Sequence, residues 1–376
     1  KLFYRKVIIM LPVDQDGYEI ALKNYFLEER PLAKNIKIVD LDIPVSTGFS
    51  NETVLFTVLW DESGNTFKEK FVGRIEPPDG GMFPIQKSGL EVSCFLQHRI
   101  MEVVAAENVT PIPQLMGYEK KLEPLGRSFF AMQYVQGEIP SDNPRYTVEG
   151  FLIESSLPEE RKHLIESGLK CLAGIHSIDW KTAGLQWLDA SDTGDPTTKD
   201  QLRIWRNYTE TELNGREHPV LAEALDWLEK NDPEDERVGL SWGDSRIGNI
   251  IWQEHEAAAI LDWEACALMP TEADIGWWLM FDRMSFDDMG VNRMEGYPTR
   301  EEMISIYESF SGREVRDPHY WEVFATMRFC SIFVRLGDRL VKAGLMQEDG
   351  NPAIPNMVTA ALAKYLKIEN PTPSII

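Results

Sequence analysis

The stretch LSWGDSRIGNIIW, residues 240–252, puts three strongly polar side chains on one short turn: Asp244, Arg246 and Asn249. Apolar residues bracket them, with Leu240 and Trp242 before and Ile250, Ile251 and Trp252 after. Aspartate and asparagine are ordinary turn residues, because their short side chains bond nearby backbone, so the pair alone says little. The next segment says more. NIIW and AAAILDW read as two short buried strands joined by the polar turn QEHE, and Asp262 stands at the far end of the second. A hairpin returns to its start, so Asp262 lands beside Asn249. Phosphoryl transfer needs a carboxylate to orient or deprotonate the attacking hydroxyl, oxygen ligands for Mg2+, and a cation to spread phosphate charge. On this reading Asp244 is the base, Arg246 the cation, and Asn249 and Asp262 the metal ligands.

The segment WGDSRIGNIIW…AAAILDWEACALMPTEADIGW resembles the catalytic motif and metal-binding segment of the aminoglycoside phosphotransferase and choline kinase family, which shares the protein-kinase-like fold. The D-x-x-x-x-N spacing matches the kinase catalytic loop. The family usually has His-Gly-Asp; here Trp242 replaces the His, a change that bears on loop geometry more than on chemistry. The resemblance runs upstream over most of the chain. STGFSNETVLFTV (46–58) is similar to the nucleotide-covering loop, which implies that Gly48, Ser50 and Asn51 bring backbone amides to the phosphates. FVGRIEPPDGG places Arg74 where the family has a strand cation on the α- and β-phosphates, and Glu91 is implied as its partner on the next helix. RSFFAMQYVQGE resembles the hinge strand, which implies that the backbone around Gln133 and Val135 holds the adenine edge. CLAGIHSIDW resembles the helix before the catalytic region. Asp274 matches a family Asp that hydrogen-bonds the catalytic loop, a structural role.

The order of elements agrees. Tyr18, Ala21, Leu22, Tyr25 and Phe26 recur at helical spacing. IKIVDLDI, ETVLFTVLW and TFKEKFVGRIE read as strands, with Val54, Phe56, Val58 and Trp60 on one face and DESGN as a turn. A helix is expected over 88–107 and a last strand over 127–138. Past residue 140 the chain reads as helical. Ser156 is expected to cap one helix, with Pro158 in its first turn and Glu159 following; Thr299 and Glu302 form a capping box that Gly312 closes. The expected fold is α+β with two lobes, a small antiparallel sheet at 1–134 and a larger, mostly helical lobe at 135–376, joined by a hinge near 134–140.

At 376 residues the chain is long enough for two lobes, and 43% hydrophobic with 26% charged residues is an ordinary globular balance. A formal charge of −23 argues against nucleic acid, which needs a basic stripe. No apolar run reaches the ~20 residues that span a membrane. Cys94, Cys171, Cys266 and Cys330 are isolated from one another, so buried free thiols and a cytoplasmic setting are expected. His176, Trp277 and Trp278 read as core residues, and Asp282, Asp287 and Asp288 as a solvated loop rather than a cation-binding cluster. GMFPIQKS (81–88) approaches a P-loop, but Gln86 stands where a glycine must be. A paired-carboxylate hydrolase finds no other distinctive pair. The expectation is therefore a small-molecule kinase using Mg2+ and ATP or GTP, with a hydroxyl acceptor. The alternative is a catalytically weak nucleotide-binding protein on the same fold; Asp244, Asn249 and Asp262, all present, favour the enzyme.

Overall fold

The computed structural model of the chain describes residues 15–43, 51–77, 80–90, 93–191, 194–233 and 237–371. Helix α1 (Gln15–Glu29) buries Tyr18, Ala21, Leu22, Tyr25 and Phe26, one stripe at helical spacing. Strands β1 (Lys34–Asp42), β2 (Glu52–Glu62) and β3 (Asn65–Ile75) follow, then α2 (Cys94–Glu107), β4 (Leu115–Leu122) and β5 (Arg127–Gln133). These strands form a five-stranded sheet in the order β1-β2-β3-β5-β4, and each recorded pairing is antiparallel. The β2–β3 turn is two residues long, with Ser63 (φ 54°) and Gly64 (φ 84°) both left-handed, the conformation whose twist matches a tight hairpin.

Alternation along β2 sends Val54, Phe56, Val58 and Trp60 to one face, where they pack under α1 with Phe71 and Phe129. The opposite face carries Phe130 and Met132 into a core with Leu96, Ile100 and Val104 of α2 and side chains of the helical lobe. The two lobes therefore share a continuous apolar interior. Helix α2 starts at Cys94, capped by the Ser93 hydroxyl accepting from the Leu96 amide, later than the 88 expected. Strand β5 ends at Gln133 rather than 138, and β4 was not foreseen.

The helical lobe holds α3 (Phe151–Glu154), α4 (Pro158–His176), α5 (Thr198–Leu213) and α6 (Pro219–Lys230). Then come β6 (Val238–Ser241), β7 (Ile250–Gln253), β8 (Glu256–Ile260), β9 (Ala267–Pro270) and α7 (Glu272–Ser285), followed by α8 (Arg300–Ser311), α9 (Pro318–Lys342) and α10 (Met357–Leu366). Helix α4 is capped one residue later than expected. Glu160, not Glu159, accepts from the Leu157 amide at 2.6 Å, because Ser156 turns away to bond the Phe151 carbonyl and His255. The Thr299–Glu302 box and Gly312 (φ 66°) bound α8 as expected. Helices α7 and α9 approach closely enough that a Cβ on Gly276 would lie 2.3 Å from the Trp321 carbonyl. Among the described residues no helix is long and apolar enough to cross a membrane. All four cysteines are buried free thiols.

Candidate active site

Two small sheets build the site. Strand β6 pairs with β9, Leu240 opposite Leu268, and delivers the chain to the turn that begins at Trp242. Strands β7 and β8 form a hairpin closed by Glu254 and His255, both left-handed, with Ile250 opposite Ile260. The Leu261 amide donates to the Asn249 carbonyl at 2.9 Å, so Asp262 emerges next to Asn249, as the hairpin argument required. Glu138 exchanges two backbone hydrogen bonds of 2.8 Å with Trp252, tying the segment after β5 to the same hairpin.

Gly243 precedes Asp244 with φ +88°, and a Cβ there would meet the Ala265 carbonyl at 2.0 Å, so only glycine fits. Asp274 anchors the turn. Its buried carboxylate accepts from the Trp242 amide (2.7 Å), the Gly243 amide (2.8 Å), Ser241 Oγ (2.9 Å) and His176 Nε2 (3.0 Å). Burial alone would raise its pKa, yet the His176 contact and these donors hold it below the usual carboxylate range. His176, taken as a satisfied core histidine, is one, bonded also to Tyr307. Trp242 ties the turn to the hairpin: its indole N–H donates to the Leu261 carbonyl at 2.8 Å, one residue before Asp262.

The structure brings Asp244, Arg246, Asn249, Asp262 and Arg74 together. Asn249 Nδ2 donates to both the carbonyl (2.9 Å) and Oδ2 (2.7 Å) of Asp244, which leaves its amide oxygen for a cation. Asp262 has φ +59°, and its Oδ1 is buried without a hydrogen bond. Burial and the neighbouring Asp244 carboxylate hold Asp262 above the usual range, against Arg74 and Arg246. An orphaned carboxylate oxygen beside a free amide oxygen fits a hard cation. Among the described residues no group of three or more His, Cys, Asp or Glu forms a complete metal cage. Mg2+ takes one or two protein carboxylates and completes its shell with phosphate and water.

Arg74 Nη2 lies 3.8 Å from Asp262 Oδ1, and Nη1 donates to Thr53 at 2.7 Å. Its expected partner Glu91, and Gly48 and Ser50 of the covering loop, lie outside the described residues. Asn51, just before β2, is buried with its side-chain nitrogen unbonded. The Gln133 amide is spent on the Gln114 carbonyl (2.8 Å); Val135 follows, half-buried, past the strand end. Arg246 differs from expectation in its surroundings. Its Nη1 donates to both carboxylate oxygens of Asp142, at 2.7 and 2.8 Å, Nε lies 3.3 Å from Asp244 Oδ1, and the guanidinium stacks on Phe281. Asp244 and Asp142 hold it fully charged in spite of its burial.

Sequence reasoning missed three partners. Trp277, read as a plain core aromatic, is buried but donates its indole N–H to Asp244 Oδ1 at 2.7 Å. Asp142 and Thr53 were not singled out. Of the acidic trio, Asp287 is exposed in the turn after α7 as expected, and the other two are a correction. Asp282 is buried in a bidentate pair with Arg293, and Asp288 pairs with Arg283 and Lys364, so neither lies in a solvated loop. Beside Asp244 opens a cavity of about 240 Å³ lined by Phe83, Trp277, Phe281, Phe329, Ile332, Asp142, Arg145 and Arg246. A larger hollow of about 700 Å³ lies between residues 80–88 and α5; neither Asp244 nor Asp262 lines it, and it shares Phe83 as a wall.

A family model described as "Phosphotransferase enzyme family" matches residues 43–303, more than half the chain. The chain belongs to this family. It has the protein-kinase-like fold. Among solved structures, a candidate aminoglycoside phosphotransferase from Ralstonia eutropha superposes with TM-score 0.64 at 21% identity, covering 93% of this chain and 99% of that chain. A thermostable mutant of aminoglycoside phosphotransferase APH(4)-Ia, in ternary complex with AMP-PNP and hygromycin B, gives TM-score 0.55 at 13% identity over 92% of this chain and 98% of that one. Both likenesses speak to fold. Among curated proteins, the rat (Rattus norvegicus) acyl-CoA dehydrogenase family member 11 is 28% identical over 228 residues, 58% of this chain and 28% of the relative. The chicken (Gallus gallus) protein of the same name is 29% identical over 211 residues, 52% of this chain and 25% of the relative. The chain thus spans about a quarter of the length of these relatives.

Proposed function

We propose that this phosphotransferase moves the γ-phosphate of ATP, or of GTP, to a hydroxyl of a small molecule, with Mg2+ held by Asn249 and Asp262. The observation that carries the reading is the convergence of Asp244, Asn249 and Asp262 at one end of the β7–β8 hairpin, with Asp262 Oδ1 buried and unbonded. Held by Asn249 and Asp262, Mg2+ would supply positive charge to neutralise the phosphates. Asp244 accepts the proton of the acceptor hydroxyl as its oxygen bonds to the γ-phosphorus and the nucleoside diphosphate leaves. Trp277 and Asn249 each donate to a different oxygen of that carboxylate and so fix its plane. Arg74, on the strand facing Asp262, supplies positive charge to the phosphates; Arg246 is committed to Asp142 and Asp244 and orients the base. Asn51 with Gly48 and Ser50 would cover the phosphates, and the backbone near Gln133 and Val135 would hold the base edge.

The acceptor enters the cavity beside Asp244. Its walls are largely aromatic, its cations are Arg145 and Arg246, and Asp142 is already paired. With Asp282 and Asp288 also paired to arginines, this lining suits an alcohol with an apolar body better than a polycationic amine.

Calorimetric titration with ATP tests the reading. Binding is expected to require Mg2+, and Asp262→Ala is expected to abolish the Mg2+-dependent part. A variant that binds Mg-ATP as tightly as the parent would remove Asp262 from the metal site. Absence of any ATP or GTP binding with Mg2+ at millimolar concentration would overturn the kinase reading.

A further inference from the structure

Arg328, in the middle of α9, is 1% exposed, and among the described residues no carboxylate lies within ion-pair distance of it. Nη2 donates to the Gly243 carbonyl at 3.0 Å, while Nε and Nη1 have no hydrogen-bond partner. Its guanidinium carbon lies 4.6 Å from the Trp277 ring centroid, 5.0 Å from Trp205 and 5.8 Å from Phe324. Burial brings its pKa down to about 10, against the pull of Asp274 and Asp244, so the cation persists at neutral pH.

Stability alone does not account for this residue. A buried, incompletely bonded cation disfavours the folded state, and an apolar side chain of similar length would fill the same space without that cost. What the cation does reach is the base, by two routes. The first is the backbone: Gly243 is clamped between Arg328 Nη2 and the Ala265 carbonyl, and Asp244 is the next residue. The second is Trp277, which turns its face to Arg328 and its N–H edge to Asp244 Oδ1 at 2.7 Å. A cation on an indole face draws density from the ring and makes its N–H a stronger donor.

We propose that Arg328 is a positioning residue for phosphoryl transfer, which aims the Asp244 carboxylate through the Gly243 peptide and the Trp277 indole without touching substrate. The inference rests on the assignment of Asp244 as the base. It separates Arg328 from a residue that merely fills the core, because its effect must vanish once Asp244 can no longer act.

The test combines Mg-ATP calorimetry with turnover of ATP, to water where no acceptor is in hand, for the parent, Arg328→Met, Arg328→Lys and the same changes in an Asp244→Asn background. Calorimetric stoichiometry counts folded nucleotide sites and so corrects turnover for misfolded protein. Arg328→Met is expected to lower turnover per site about 10- to 100-fold, the range usual for groups one shell behind the reacting atoms, with Mg-ATP affinity unchanged. Arg328→Lys, which keeps the charge and one donor, is expected to recover part of the loss. In the Asp244→Asn background either change is expected to alter residual turnover less than about twofold, the mark of two residues acting as one unit. Where Arg328→Met does not fold, the lysine variant carries the same cycle. Losses that track the number of ATP sites, or that persist in full in the Asp244→Asn background, overturn the positioning role alone. A parent that neither binds nor turns over Mg-ATP overturns the kinase reading itself.

Discussion

The interiors of the two lobes differ in kind. Under α1 the sheet lobe buries Tyr18, Phe26, Val54, Phe56, Val58, Trp60 and Phe129, and its charged groups, Arg74, Glu52 and Arg127, stay at the strand ends. The helical lobe buries charge itself: Asp274, Asp282, Glu322 and Arg328 are each 5% exposed or less. A buried charge is tolerated only when paired or solvated by fixed dipoles, so in the helical lobe the fold and the site share the same hydrogen bonds. In the sheet lobe the apolar core and Arg74, which faces Asp262, are separable.

That contrast can be broken by a pair of truncations. Asp274→Ala strands the Trp242 and Gly243 amides and the Ser241 hydroxyl, and breaking a buried charged network costs about 3–5 kcal/mol. Phe56→Ala, under α1, costs about 3–5 kcal/mol as well, by leaving a cavity. Urea unfolding midpoints are expected to fall for both. Turnover per folded molecule is expected to drop only for Asp274→Ala, because only there does the lost contact hold the catalytic turn. A Phe56→Ala variant with equally impaired turnover would show that the two interiors are not separable.

A smaller effect sharpens the comparison through pH. His218, buried at the start of α6, accepts from the Leu221 amide through Nδ1, and burial lowers its pKa from 6.5 to about 4. The unfolded chain therefore binds a proton more readily than the folded one between these values. Stability is full above about 6.5 and is lost as pH falls towards 4, by up to about 3 kcal/mol. Asp282, raised by burial to about 6, acts with the opposite sign over part of this window, so the difference between variants is the quantity to read. His218→Asn keeps a capping acceptor and is expected to flatten the acid slope of the unfolding midpoint. An unchanged slope would contradict the assignment.

What could be read from sequence follows how far apart partners lie. The D-x-x-x-x-N spacing, the hairpin that returns Asp262 to Asn249, the β2 face and the Thr299–Glu302 cap are local patterns, and each appears as expected. Strands β4, β6 and β9 are short or irregular in pattern, and β6 pairs with β9 across an intervening hairpin. Trp277 is 33 residues from Asp244 and Arg328 is 85 from Gly243, so an aromatic or a cation on an apolar helix carries no local sign of what its polar atom meets. Arg246 was legible as a cation, but its partner Asp142 is 104 residues away. The Ser156 cap failed for a related reason: a tertiary partner, His255, took the hydroxyl.

The central claim is that Asp244 performs chemistry on the acceptor hydroxyl and does not ligate the nucleotide. Asp244→Asn tests it most directly, since asparagine keeps the size and an acceptor for Trp277 but cannot take the proton. Turnover and Mg-ATP affinity, measured on the same preparation, are expected to separate. Turnover falls by about 10²–10⁴, the usual weight of a general base, while the dissociation constant for Mg-ATP stays at the parental value. Near-parental turnover would reduce Asp244 to a turn residue, and loss of Mg-ATP binding would move it into the metal site; either result contradicts the account.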